Sequence, residues 1–463
     1  MSVSLDRARA LVVLIVLCTA MFLDSMNVSA LSIAVPVITR DLHLDASQAQ
    51  WILSGYTVTF GGLLLLGGRL TDIVGRKRIL MIGLALLTLG GTGAALTSLP
   101  AAIIGFRVVT GIGAALVAPA SLASLVTFFS EPAARARAIS AYSVTGAAGF
   151  GGGLVLSGVL SEANWRLTLL VPSILSAVAL VISAVVLPRD SSRRASARRI
   201  DLPGALTGTT GLLLLVYAVT SLSGGEPLAL TLLAFAFALG LLVAFGLIEF
   251  RGQDPLLSPK LFGIGDLGAA NLLAFSWAAA SIGWQFLASL YLGTRLNYSP
   301  LLTGIAILPL AIAIVITQTV SNRVIRARGL AFSGTLGMAL QAAGIAWLLL
   351  AVMDGSYVYG VLPGLVLHGV GNGFAFPTFF TGATRGVPDE QQGMASGAVN
   401  TSVQIGGGLG VAVLASVLGA GSPSHNGPFV VAVIVAAAFS IGGLAISATR
   451  FRRGPALPST RTH

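Results

Sequence analysis

Charge is what this chain has least of. Aspartate, glutamate, lysine and arginine supply 9% of its 463 residues, against about 25% in soluble globular domains. That excludes a charged, solvated surface over most of its length. Cysteine is nearly absent. Cys18 is the single one, so no intrachain disulfide is possible, and inside an apolar run it reads as a small packing residue. No Walker-type phosphate loop, metal-ligand cluster or nucleophile–base constellation stands in the sequence. The reading is therefore no metal, no cofactor, no ATP-driven pumping within the chain and no enzyme.

What the chain has in abundance is apolar and small residues. It is 55% hydrophobic with 57 glycines, and its mean hydropathy is +0.91. The few charges sit in short clusters between apolar runs of about 20 residues, the length that crosses a hydrocarbon core about 30 Å thick. Small residues let helices approach closely where lipid gives little hydrophobic driving force. The opening MSVSLDRARA leads into an apolar stretch that continues to about Val35 without a small-residue cleavage site, so it reads as a retained helix.

The runs predict an all-α integral membrane protein with fourteen spans, near 11–35, 51–69, 79–98, 101–128, 138–160, 167–187, 203–222, 228–249, 269–292, 303–322, 331–353, 357–380, 395–419 and 428–449. The even number puts both termini on one side. With that side cytoplasmic, 23 of the 27 Lys and Arg fall in cytoplasmic segments. Only Arg40, Arg166 and Arg295 lie outside, and Arg107 lies within a span. This is the positive-inside pattern, and one missed span would scramble it. The net charge of +11 is thus a topology signal with anionic lipid headgroups as its contacts; no nucleic-acid partner is expected.

The spans divide into a six-helix half at 1–188, a basic cytoplasmic linker at 189–202, two inserted helices at 203–250, a second six-helix half at 251–449 and a cytoplasmic tail at 450–463. SEPAARARAISAYSVTGAAG before the fifth span and VPDEQQGMASGAVNTSVQIGGG before the thirteenth form a weak internal echo. Repeated halves with a midplane site between them are a common transporter plan.

The most specific string is GGRLTDIVGRKR, Gly67–Arg78. Gly68 suits a close helix approach, and Asp72 suits a neighbouring helix N-terminus, where the macrodipole favours an anion. Gly75 suits a turn with positive φ; Arg76, Lys77 and Arg78 hold the loop at the cytoplasmic face. At these residues the chain resembles the major facilitator superfamily. QWILSGYTVTF (Gln50–Phe60), FRVVTGIGAALVAPAS (Phe106–Ser121), YLGTRLNYSPLLTGIAILP (Tyr291–Pro309) and EQQGMASGAVNTSVQIGGGLG (Glu390–Gly410) are similar to its fourteen-helix drug–proton antiporters. The resemblance implies the major facilitator fold, two six-helix halves plus two inserted helices. It also implies a cytoplasmic gate at Gly68, Asp72, Gly75 and Arg76.

Asp24 and Arg107 are the plainly intramembrane charges, and such residues default to a functional reading. At a rise of 1.5 Å per residue they sit roughly 15 Å and roughly 9 Å below the external helix ends. Asp24 is read as the carrier of a coupling proton and Arg107 as the group that tunes it. A permanent ion pair between helices 1 and 4 is the alternative. By the resemblance, the antiporters' first-helix acid falls at Asn27, one turn from Asp24. Thr110 stands where the fourth-helix pattern has Gln, and Gly152-Gly153-Leu154-Val155-Leu156-Ser157 replaces G-P-x-x-G-G.

Gly146, Gly149, Gly152 and Gly153 read as helix packing or a hinge. Trp277, Trp284, Gln285, Tyr291, Asn27 and His368 are candidates for a substrate cavity; interface anchoring and a hydrogen-bonded structural histidine are the alternatives. The whole reads as a monomeric inner-membrane exporter of lipophilic or amphipathic small molecules, such as antibiotics, driven by protons. A facilitator or proton-linked importer of an endogenous solute, or a non-transporting membrane sensor, is the competing expectation.

Overall fold

The computed structural model describes residues 2–129, 131–188, 202–221, 227–252, 262–387, 392–419 and 427–451. Most of the expected basic linker, the tail beyond Phe451 and Glu390 lie outside them. No strand occurs among the described residues. In lipid every backbone donor and acceptor needs a partner within its own segment, and the helix provides that.

The helices are α1 (Ser2–Asp41), α2 (Ala46–Val74), α3 (Arg76–Leu96), α4 (Pro100–Phe128), α5 (Pro132–Val186), α6 (Leu202–Ser221) and α7 (Leu228–Arg251). There follow α8 (Leu267–Thr294), α9 (Pro300–Asp354), a π-helical turn at Tyr357–Val361, α10 (Leu362–Thr384), α11 (Gln392–Gly419) and α12 (Gly427–Arg450). Both α5 and α9 run for 55 residues, about 80 Å if straight. Each is broken. Asn164 leaves helical geometry at φ −167°, ψ 123°, and Gly329 does so at φ 84°, ψ 172°. Nine helices among the described residues are long and apolar enough to cross a membrane.

Local sequence explains several ends. Asp45 and Gln48 close a capping box before α2: the Gln48 amide donates to Asp45 Oδ1 at 2.7 Å, and the Asp45 amide donates to Gln48 Oε1 at 3.2 Å. At the α5 break, Trp165 Nε1 donates to Asp41 Oδ2 at 2.7 Å. Arg166 Nη1 then caps α3 through the carbonyls of Ala95 and Thr97, each at 2.7 Å.

The chain forms two compact units. The first comprises Met1–Leu256 with Asn297–Ile305, and the second Leu257–Leu296 with Ala306–His463. In the first unit α1 packs along α5, while α4 packs between α2 and α3. Its core gathers Leu17, Tyr56, Leu80, Leu84 and Leu116. Helices α6 and α7 pair with each other, and α6 leans on α2. Leu232, Phe237 and Val243 leave the pair's outer face exposed and apolar, as lipid contact requires. In the second unit α8 is the central helix, packed by α10, α11 and α12. Its core includes Leu273, Met338, Phe379 and Val399.

Candidate functional site

Three helices of the first unit bring polar side chains together inside apolar surroundings. Asp24 and Asn27 lie one turn apart on α1, and so share a face. Tyr56 of α2 and Arg107 of α4 are each 1% exposed. Arg107 does not make a direct ion pair with Asp24. Its Nε donates to the Ile52 carbonyl at 3.1 Å, and its Nη1 donates to Asn27 Oδ1 at 3.4 Å. The guanidinium carbon lies 4.5 Å from the centre of the Tyr56 ring. The Tyr56 hydroxyl in turn donates to Asp24 Oδ1 at 3.1 Å. Tyr56 therefore stands between the acid and the base, with its ring toward one and its hydroxyl on the other.

Such a set is costly to build in a membrane interior, and each partner reduces that cost for another. The guanidinium stays charged at any physiological pH and needs acceptors. A carbonyl, an amide oxygen and a π face supply them. Beside it, Asn27, Arg107, Thr110, Ser173 and Ser176 border a cavity of about 10 Å³, room for about one water. The three hydroxyl hydrogens already go to helix carbonyls: Thr110 to Phe106, Ser173 to Leu169 and Ser176 to Leu84. Their oxygens are left as acceptors toward that space.

The glycine-rich loop is built as a turn between α2 and α3. Gly75 takes φ 111°, a conformation side chains resist. The close approach expected of Gly68 belongs to Gly67. A methyl group at Gly67 would run into the Ala115 carbonyl of α4, whereas one at Gly68 would lie 3.9 Å from Pro119 Cβ. Arg76 Nη1 hydrogen-bonds the Thr127 hydroxyl. Lys77 Nζ donates to the carbonyls of Ala184 at 2.7 Å and Leu187 at 2.8 Å, and Arg9 donates to Val186 O at 3.2–3.3 Å. Two cations thus close the negative end of α5. The side chain of Asp72 lies outside the described residues.

Of the four α5 glycines singled out in the sequence, Gly146, Gly149 and Gly153 press closely on α1. A Cβ on Gly149 would meet the Phe22 carbonyl at 2.7 Å, one on Gly153 would meet Met26 Cα at 3.1 Å, and one on Gly146 would meet the Met21 side chain at 2.5 Å. Gly152 is exposed, and a Cβ there would make only ordinary contact with the Phe22 ring at 3.8 Å.

In the second unit, Trp284 and His368 are 0% and 1% exposed and stack at 4.4 Å with planes 17° apart. A lipid-interface anchor would not be so enclosed. Nearby, Gln341 Nε2 donates to Ser281 Oγ at 2.5 Å, and Ser281 donates to Asn372 Oδ1 at 2.7 Å. Asn372 Nδ2 returns to the His368 carbonyl at 3.1 Å. Gln285 is buried. Trp277 packs on Phe376 and Phe379, with ring centres 5.5 and 5.3 Å away. The Tyr291 hydroxyl donates to Ala351 O at 2.6 Å. A cavity of about 640 Å³ in this unit is bordered instead by Phe262, Asp266, Asn271, Phe275, Ser402 and Arg450. The expected aromatic set does not border it.

The central position of Tyr56 was not among the sequence expectations. The available signal was a tyrosine within an apolar span, inside the string Gln50–Phe60 already singled out.

Nine helices long and apolar enough to cross a membrane, among the described residues, make this a multi-pass membrane protein with a buried polar cluster in its first unit. Residues 17–411 match the profile of the Major Facilitator Superfamily. The chain belongs to that superfamily. It is 36% identical over 414 residues to the puromycin resistance protein of Streptomyces alboniger, covering 87% of this chain and 81% of that one. It is 35% identical over 436 residues to the cephamycin export protein of Amycolatopsis lactamdurans, covering 91% and 89%. Among solved structures, an auto-inhibited POT family peptide transporter superposes with a TM-score of 0.68 at 17% identity, covering 97% and 99%. The last likeness is one of fold.

Proposed function

We propose that this protein exports antibiotic-like, lipophilic or amphipathic small molecules from the cell, and exchanges them for protons by alternating access. Similarity at 35–36% identity along most of the chain to antibiotic resistance and export proteins carries the reading. The cluster of Asp24, Tyr56, Asn27 and Arg107 supports the proton-coupled part, because a carboxyl group inside a membrane span is costly unless it works. In this scheme Asp24 binds the coupling proton. A cation near the site favours the carboxylate and enclosure favours the acid, so opening to either side changes which form prevails. Gly68, Asp72, Gly75 and Arg76 gate the cytoplasmic side. Fourteen crossings, both termini in the cytoplasm and a monomer in the inner membrane complete the scheme. The breaks in α5 and α9 and the 23 inward-placed cations support the count and direction.

The test is susceptibility of a strain lacking the protein and one overproducing it to puromycin, a cephamycin and a panel of lipophilic antibiotics. Proton release from energised vesicles is measured on addition of each active compound. Export predicts resistance on overproduction and compound-dependent proton movement, both lost in Asp24→Asn. Compound flux unaffected by Asp24→Asn favours a facilitator instead, a reading that Asn27 at the antiporters' acid position makes worth testing. No flux with any compound would sink the exporter.

A further inference from the structure

We propose that Tyr56 is the positioning residue that ties the charge on Asp24 to the setting of Arg107. The inference rests on the coupling role proposed for Asp24, and adds to it the part that passes the change on. The Tyr56 hydroxyl donates to Asp24 Oδ1 at 3.1 Å, longer than a charge-assisted bond; an ionised Asp24 draws the hydroxyl in and accepts it as one. Once Asp24 takes a proton from water, its oxygen becomes a weaker acceptor and that bond loses most of its strength. No covalent bond to Tyr56 changes, and the proton later returns to water from the same carboxyl.

What the hydroxyl loses, the ring transmits. Arg107 touches α2 twice, at the Tyr56 ring and at the Ile52 carbonyl one turn earlier, and touches α1 once, at Asn27. Freeing the tyrosine loosens one of these three holds without removing the others. The junction of α1, α2 and α4 can then reset as a unit. This accounts for an arrangement in which a partly buried acid and a buried base are joined by an aromatic side chain rather than an ion pair. Arg107 remains fully charged throughout, so the variable element is the tyrosine.

The other ionisable groups near Asp24 are few. From α5 comes Tyr142, within electrostatic reach of Asp24, but its hydroxyl is engaged with Ser121 Oγ at 2.9 Å. From α4 comes Arg107, and α1 itself carries Cys18. Among the described residues, Tyr56 holds the one side-chain hydrogen bond recorded for the Asp24 carboxylate.

The experiment is an infrared pH titration of the purified full-length protein in lipid. The carbonyl band of a protonated carboxylic acid is assigned to Asp24 by its loss in Asp24→Asn. Tyr56→Phe keeps the ring under Arg107 and removes the hydroxyl. It is expected to move the midpoint of that band to higher pH, by about tenfold in proton concentration, the effect of one hydrogen bond to a charged group. In the wild type, a tyrosine ring mode is expected to shift with the same midpoint as the carboxyl band, and Tyr142→Phe is expected to leave both in place. The wild-type measurement tests the idea even if Tyr56→Phe fails to fold. A midpoint that stays put in Tyr56→Phe, a tyrosine mode that does not follow the carboxyl band, or no band assignable to Asp24 overturns the proposal. Proton-coupled flux that persists in Asp24→Asn, alongside a band that shifts as expected, overturns the coupling role of Asp24 alone.

Discussion

Gly67 and Gly68 are adjacent in the loop motif, and the structure assigns them opposite sensitivities. A methyl group added at Gly67 would overlap the Ala115 carbonyl oxygen and press on Ala115 C. These are backbone atoms of α4 and cannot rotate aside. Carbon needs about 3.5–4.0 Å to its neighbours, so α2 and α4 would have to separate by about 1.5–2 Å or tilt. Overpacking of this kind costs about 1–3 kcal/mol. The same methyl at Gly68 would lie 3.9 Å from Pro119 Cβ, an ordinary contact. In an exposed helix interior Gly→Ala gains up to about 1 kcal/mol in propensity. The measurement is the thermal midpoint of detergent-purified protein, paired with compound flux in vesicles. Gly67→Ala is expected to lower the midpoint and cut flux, and Gly68→Ala to leave the midpoint unchanged or raised. Equal losses in the two variants would refute the reasoning, because a general intolerance of the loop would then explain both.

Lys77→Met removes the donor to Ala184 O and Leu187 O; hydrogen exchange at the C-terminal turn of α5 should quicken while α1 to α4 stay protected. Arg107→Leu should abolish compound flux and destabilise the protein by about 1–3 kcal/mol, because Asn27 and the Ile52 carbonyl lose a charged donor. Arg107→Lys should recover stability better than flux, since an ammonium cannot reproduce the planar fork. Trp284→Leu with His368→Ala, taken as a double-mutant cycle, should give a coupling of about 0.5–1.5 kcal/mol for the stacked pair. Gly152→Ala should be tolerated and Gly149→Ala should not, as read from protein yield and thermal midpoint, because the Phe22 backbone of α1 faces only the latter.

The helical, membrane-spanning character of the protein was determined by its sequence alone. Apolar runs of membrane length leave the backbone no partner except itself, and that requirement is local. Asp45 with Gln48 before α2 and Gly75 between α2 and α3 were also set locally, by capping geometry and by the freedom of glycine at positive φ. The loop motif marked the family because its residues are contiguous in the chain, although its cations reach Thr127, Ala184 and Leu187. Tertiary structure alone decided which side chains meet. Tyr56 reaches Asp24 across 32 residues and Arg107 reaches Asn27 across 80; a pattern uniformly apolar around each helix does not say which face will find which neighbour. Helix packing also chose Gly67 over Gly68 as the point of contact with α4, and enclosed Trp284 and His368 within the second unit. Periodicity fixes a helix, but the rotation of one helix against another follows from the fit of many side chains at once.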